Sequence, residues 1–229
     1  MNLYFLVEGR RTERKVYPSW LSHLLPQFSK VDRHDLAIDN HYYLISGEGY
    51  PSLLHHLRGA IVNVNRSQAF RYLVVCLDAD EATVENRVRE IEDYISREHL
   101  QLANCQLEIV VQNRTIETWF LGNRRIVSPA GLQSQVLRDY VEFYDVRSDD
   151  PERMGIHSDF KTHAAFHADY LREAFAEKGL RYTKTNPGHV CDTAYLEQLQ
   201  ARVETNADHL ASFQSLLALC RRISSEVTC

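Results

Sequence analysis

Leu3-Tyr4-Phe5-Leu6-Val7-Glu8-Gly9-Arg10-Arg11-Thr12-Glu13 is the stretch that decides the fold. Its apolar run at 3–7 has the length and composition of a buried strand. Glu8-Gly9 ends that run. Thr12 then stands as an N-cap, and Val16/Tyr17, Trp20/Leu21, Leu24/Leu25 and Phe28 recur at helical spacing, which predicts a helix over about residues 12–28. The local order is strand, tight loop, helix.

The same unit recurs downstream. Residues 41–45 read as a strand, Ser46-Gly47-Glu48-Gly49 as a turn, and Pro51 as the first residue of a helix reaching about Asn63. Residues 70–77 form the strongest strand signal in the chain, and Asp78-Ala79-Asp80 closes it. Val84, Val88, Ile91 and Ile95 stripe one face of the next helix, and 107–111 makes a fourth strand. Strands alternating with amphipathic helices predict an α/β fold. Its sheet should be mainly parallel and four-stranded, with helices on both faces and right-handed crossovers. After about residue 125 helical patterning dominates, over 132–144, 164–178 and 195–223, with polar loops at 147–155 and 183–189. The expected division is therefore an α/β domain over 1–125 and a mostly helical region over 126–229.

Composition agrees with a folded protein rather than a disordered or fibrous one: 229 residues, 44% hydrophobic and 25% charged. The longest apolar runs, 72–77 and 214–220, are far shorter than the roughly 20 residues of a membrane span, so no membrane partner is expected. The N-terminus carries no basic leader before its apolar run and reads as structure, with a cytoplasmic location expected. Five widely spaced cysteines (Cys76, Cys105, Cys191, Cys220 and Cys229) read as reduced core thiols. The net charge of -5 excludes a uniformly basic nucleic-acid glove, so any phosphate must be held locally. Arg10, Arg11, Arg14 and Lys15 form one local basic group, and Arg124 with Arg125 another.

Ligands of parallel α/β sheets bind beyond the carboxyl ends of the strands, which directs attention to Glu8, Ser46, Asp78 with Asp80, and Asn113. Alternate residues of an extended strand point the same way, so Asp78 and Asp80 are expected to present their carboxylates together. Two such oxygen donors suit a hard divalent cation, Mg²⁺ above all, with Glu8 completing the surface. A cation between carboxylates and a phosphodiester is the arrangement for nuclease chemistry. Gly9 permits the sharp turn, and Arg10, Arg11 and the helix start near Thr12 and Glu13 are candidates for holding phosphate. Each acid also has an ordinary structural use, Asp80 as a helix cap and Asp78 or Glu8 as a loop acid. Acids at two separate strand ends, one beside Gly and Arg, are what point to a site.

These residues resemble a family. Glu8-Gly9-x-x-Thr12-Glu13 followed by Tyr17, then Leu77-Asp78-Ala79-Asp80, is similar to the glutamate and Asp-x-Asp motifs of TOPRIM domains. The closer likeness is to the RloB-like and OLD-type proteins of bacterial phage-defence loci. Asn113-Arg114-Thr115-Ile116-Glu117-Thr118-Trp119-Phe120-Leu121 resembles a third segment of RloB-like proteins, with Arg114 and Thr115 replacing its Pro and neighbour. The resemblance covers about residues 3–121. It implies metal-dependent cleavage of DNA or RNA, transfer RNA included, with Mg²⁺ or Mn²⁺ as cofactor. It further implies Glu8 as acid/base or metal ligand, Asp78 and Asp80 as metal ligands, and Glu117 as an additional acid. Lys184, in Tyr182-Thr183-Lys184, resembles the late lysine of OLD-type nucleases. Arg10 and Arg11 are expected on substrate phosphate.

The chain has no Gly-x-x-x-x-Gly-Lys-Ser/Thr loop, so an ATP-driven step would need a separate partner, which the family implies to be an ABC-type ATPase. The apolar stripes at Leu196, Leu199, Val203, Leu210, Phe213, Leu216/Leu217, Cys220 and Ile223 are read as packing on their own domain, with a homodimer or ATPase interface as the other use. His163 and His167 read as a helix-surface pair. The alternative to an enzyme is a non-cutting regulatory or binding module with an acidic metal-binding edge. Glu-Gly after the first strand, where receiver domains carry paired acids, favours the nuclease.

Overall fold

The computed structural model describes residues 1–128 and 131–228. The chain groups by its internal contacts into two compact units. The first comprises Met1–Leu77, Val84–Val111 and the C-terminal segment from Ser215, and the second Asp78–Thr83 and Gln112–Gln214. These units do not coincide with a single cut at residue 125, because the chain passes between them four times.

In the first unit, β1 (Asn2–Val7) is followed by α1 (Glu13–Leu24), β2 (Ser29–Val31), β3 (His41–Ser46), α2 (Ser52–Ser67), β4 (Phe70–Asp78), α3 (Val84–Arg97) and β5 (Gln106–Gln112). The strands form one sheet in the order β2-β3-β1-β4-β5. β1 pairs in parallel with β3, from Leu3↔Tyr42 to Val7↔Ser46, and with β4, from Leu3↔Tyr72 to Val7↔Cys76. The fold class is thus α/β with five strands rather than the expected four. The added strand is β2, whose Ser-Lys-Val is three residues long and poorly buried, with no apolar run to mark it in the sequence. Central β1 is buried along its whole length, as its unbroken apolar run requires.

α1 buries Val16, Tyr17, Trp20 and Leu21 at the expected spacing but stops at Leu24. Pro26 accounts for the early end, since a residue before proline is driven out of the helical region, and Leu25 sits at φ -134°, ψ 61°. Thr12 occupies the N-cap position without a side-chain capping bond. α3 buries Arg87, Ile91 and Tyr94, one step round from the predicted stripe, and Val88 and Ile95 are half-buried.

The second unit holds α4 (Ile116–Phe120), α5 (Gln135–Phe143), α6 (His163–Glu177) and α7 (Thr193–Thr205), and α8 (Ala211–Thr228) starts in it. The helical patterning expected over 195–223 is carried by two helices, separated where Leu210 takes a left-handed φ of 53°. Buried Arg202 ties the connections together by donating to the carbonyls of Gly122, Val146 and Asp149 at 3.0, 2.7 and 2.6 Å. Burial lowers its guanidinium to about 10.

The latter part of α8 belongs to the first unit, where Gln27 donates to Ser224, Tyr72 bonds Glu226, and Arg222 pairs with Glu108. Cys76, Cys105, Cys191 and Cys220 are free thiols, and burial pushes Cys76 and Cys220 up to about 12. Cys229 lies outside the described residues. Among the described residues no helix is long and apolar enough to cross a membrane.

Candidate functional site

Glu8 follows the last residue of β1, and its backbone is tied on both sides. Its N–H donates to the Cys76 carbonyl at 2.9 Å, and its carbonyl accepts from Gly49 N–H at 2.9 Å. Its Oε1 accepts from the Tyr50 backbone at 3.2 Å. Glu48 and Gly49, at φ 65° and 92°, form the left-handed turn that delivers this amide. Arg10 pairs with Glu48 at 2.8 Å, both exposed, and Arg11 is exposed as well. A Cβ added to Gly9 would lie 2.0 Å from Glu13 Oε2, so glycine makes room for the buried Glu13 carboxylate. These residues belong to the first unit.

Asp78 is the last residue of β4, but Asp80 does not continue the strand. Asp80 takes a left-handed φ of 53°. The strand-alternation argument for two parallel carboxylates therefore fails: the backbone turns between them. The turn is fixed by Ala79 N–H to Gln112 O at 2.9 Å and Asp80 N–H to Arg114 O at 2.8 Å. Arg114, itself left-handed at φ 70°, donates to the carbonyls of Asp80 and Ala82 at 3.3 and 3.2 Å. Asp80 is not a helix cap either, because α3 starts only at Val84.

Glu117 and Lys184 are brought together. Glu117 lies in the short α4, at whose start the Thr115 backbone N–H donates to the Thr118 hydroxyl at 3.2 Å. Its side chain is 1% exposed. The Tyr182 hydroxyl donates to Glu117 Oε1 at 2.7 Å, and Lys184 Nζ stands 3.8 Å from the same oxygen. Lys184 is 61% exposed, so its ammonium links a buried carboxylate to solvent. A buried carboxylate is tolerable only with such partners. The arrangement holds a cation where it can meet an incoming anion.

The histidine pair departs from expectation. His167 is fully buried rather than on the helix surface, because α6 buries Phe166, His167, Tyr170, Leu171, Ala174 and Phe175 as one stripe. That stripe is readable in the sequence and includes position 167. The His167 Nδ1 lies 2.8 Å from Thr118 Oγ1, and burial pushes its imidazole down to about 3, so the ring is neutral. His163 receives Glu81 twice, at its backbone N–H (2.9 Å) and at Nδ1 (2.6 Å). Burial raises the Glu81 carboxyl, but these His163 contacts outweigh it and hold it below the ordinary value.

Sequence reasoning also missed the bonds around Ser212. Its hydroxyl accepts from Asn113 N–H at 3.0 Å and from the Trp119 indole at 2.7 Å, and donates to Glu152 at 2.5 Å. Burial raises the Glu152 carboxyl, opposed by the Ser212 donors. No local signal marks a contact between residues so far apart in the chain.

Among the described residues no group of three or more His, Cys, Asp or Glu side chains is arranged to hold a metal ion. Asp78 and Asp80 carry oxygen donors of the kind magnesium takes, but the left-handed turn at Asp80 separates them from the side-by-side presentation that a continuous strand would give. No family model, no curated protein and no solved structure matches this chain.

Proposed function

We propose that this chain is a metal-dependent endonuclease of TOPRIM type, hydrolysing phosphodiester bonds of DNA or RNA as an effector of bacterial anti-phage defence. The observation that carries the reading is the Glu117–Lys184 pair. The sequence offered these two residues separately, as a family acid and a late lysine, and Lys184 Nζ lies 3.8 Å from Glu117 Oε1. The acids at Glu8 and Asp78, each where a strand of the parallel sheet ends, support it further.

In this reading Asp78 and Asp80 would hold Mg²⁺ or Mn²⁺, and the resemblance adds Glu8 as acid/base or ligand. When bound, the cation supplies charge neutralisation at the phosphate and a readied water. Lys184 sets a fixed positive charge against the developing charge of the transition state, and Glu117 with Tyr182 keeps its ammonium in place. Arg10 and Arg11, exposed on the first unit, attract substrate phosphate. An ABC-type ATPase encoded alongside is the expected partner, and co-purification from the native operon tests it.

The deciding experiment is cleavage of plasmid, single-stranded DNA and total transfer RNA with Mg²⁺, Mn²⁺ or EDTA, beside Asp78→Ala/Asp80→Ala. Metal-dependent products that vanish in the double variant support the reading. Cutting that survives both EDTA and the double substitution overturns it, and binding without any cutting favours a non-cutting module.

A further inference from the structure

A cleft of about 470 Å³ opens in the second unit beside the Glu117–Lys184 pair. Its volume lies within the roughly 300–1,000 Å³ of small-molecule sites. One wall is α6, which contributes Ala164, Ala165, Ala168 and Arg172. At 1.5 Å rise per residue the span from 164 to 172 is about 12 Å. Side chains that stop at Cβ leave this wall flat and open. Phe160 lines the cleft as well, half-buried and held by Tyr140 and Phe166 at ring distances of 6.1 and 5.3 Å. Tyr182, Thr183 and Lys184 line the cleft from the loop that also serves Glu117. The cleft therefore joins an anchored aromatic ring and an apolar floor to two cations, Arg172, which pairs with Asp169, and Lys184.

We infer that this cleft takes one unpaired nucleotide of a single-stranded nucleic acid, its base against Phe160 and the alanine wall and its phosphate toward Lys184. The inference rests on the nuclease reading for the class of polymer, and adds that the substrate is recognised through a base out of its stack. A base within a duplex has both faces covered and presents only its edges. A face-on aromatic contact therefore requires an unstacked or flipped base. The stacking is tolerant of base identity, because every base has a π-face. Arg172 and Lys184 supply the salt-sensitive part of the affinity.

The test is fluorescence anisotropy of the full chain in EDTA, with labelled dT12, rU12 and a mixed-sequence 12-base-pair DNA duplex as probes. The single strands should bind at least about tenfold more tightly than the duplex, the two single strands separating DNA from RNA as the source. Phe160→Ala and Ala168→Trp, the first removing the ring and the second filling the cleft, should each weaken single-strand binding about tenfold. Both should leave the duplex within about twofold. Arg172→Gln, an exposed position, should weaken single-strand binding about threefold without touching the packing, and circular dichroism melts verify that each variant is folded. Equal affinity for duplex and single strands, or folded variants that all bind single strands as the wild type does, would overturn the proposal. Because EDTA removes turnover, the two readings fail separately. Cleft-dependent binding without cutting under any metal sinks the nuclease and leaves the cleft standing. Metal-dependent cutting with unchanged binding in all three variants does the reverse.

Discussion

Glu117 holds a charge almost wholly withdrawn from water, so its two oxygen-bound partners carry different burdens. Tyr182 is buried and gives a 2.7 Å hydrogen bond, whereas Lys184 is largely solvated. Removing the hydroxyl strands part of a buried carboxylate, so Tyr182→Phe should cost about 2 kcal/mol in urea unfolding. Lys184→Ala should cost less than about 1 kcal/mol yet reduce the cleavage rate by about a hundredfold or more. Equal effects of the two variants on both measurements would show that the lysine has no role beyond the carboxylate.

His167 makes a second test at this scale. Its folded pKa of about 3 lies below the unfolded value of 6.5, so between those values the unfolded chain binds a proton that the native chain refuses. Its contribution is intact above 6.5 and is lost as the pH falls, at up to about 1.4 kcal/mol per pH unit. Urea midpoints at pH 7.5 and 5 should drop more for wild type than for His167→Gln, and parallel drops would refute the assignment.

The turn after β4 and the short α4 carry most of the candidate site, and neither is an ordinary element. Asp80 bends the chain with a left-handed backbone, which aspartate and asparagine adopt more readily than most residues. Asp80→Asn retains that tolerance while removing the charge. Its unfolding free energy should stay within about 0.5 kcal/mol of wild type while metal-dependent cleavage is lost. A variant that cuts normally would relieve Asp80 of its role. The end of β4 was legible in the sequence, because an apolar run ending at an acid is a local signal. The bend itself was not, since Arg114, thirty-four positions on, donates to the Asp80 carbonyl.

At the scale of the molecule, the chain returns to the first unit at Ser215, and the later part of α8 buries Leu216, Leu217, Leu219, Cys220 and Ile223. Burying a leucine or isoleucine contributes about 1.5–3 kcal/mol, so these side chains together rival the whole stability of an ordinary domain, about 5–15 kcal/mol. A fragment of residues 1–125 should therefore show no cooperative urea transition, while the full chain does. A cooperatively folded fragment would mean that α8 only decorates the sheet.

The sequence by itself determined the alternation of strands and helices, the acids that end β1 and β4, and the helical character of the second half. Each depends on periodicity or composition within a few turns of chain, where burial imposes a period of two or 3.6. Tertiary structure alone decided the rest. β2 has no apolar run and exists by pairing with β3. Tyr182 finds Glu117 across 65 residues, His163 finds Glu81 across 82, and Ser212 gathers Asn113, Trp119 and Glu152. Such partners are chosen by the packing that withdraws polar groups from water and obliges each to find another, and no local pattern in the chain encodes which one it will be.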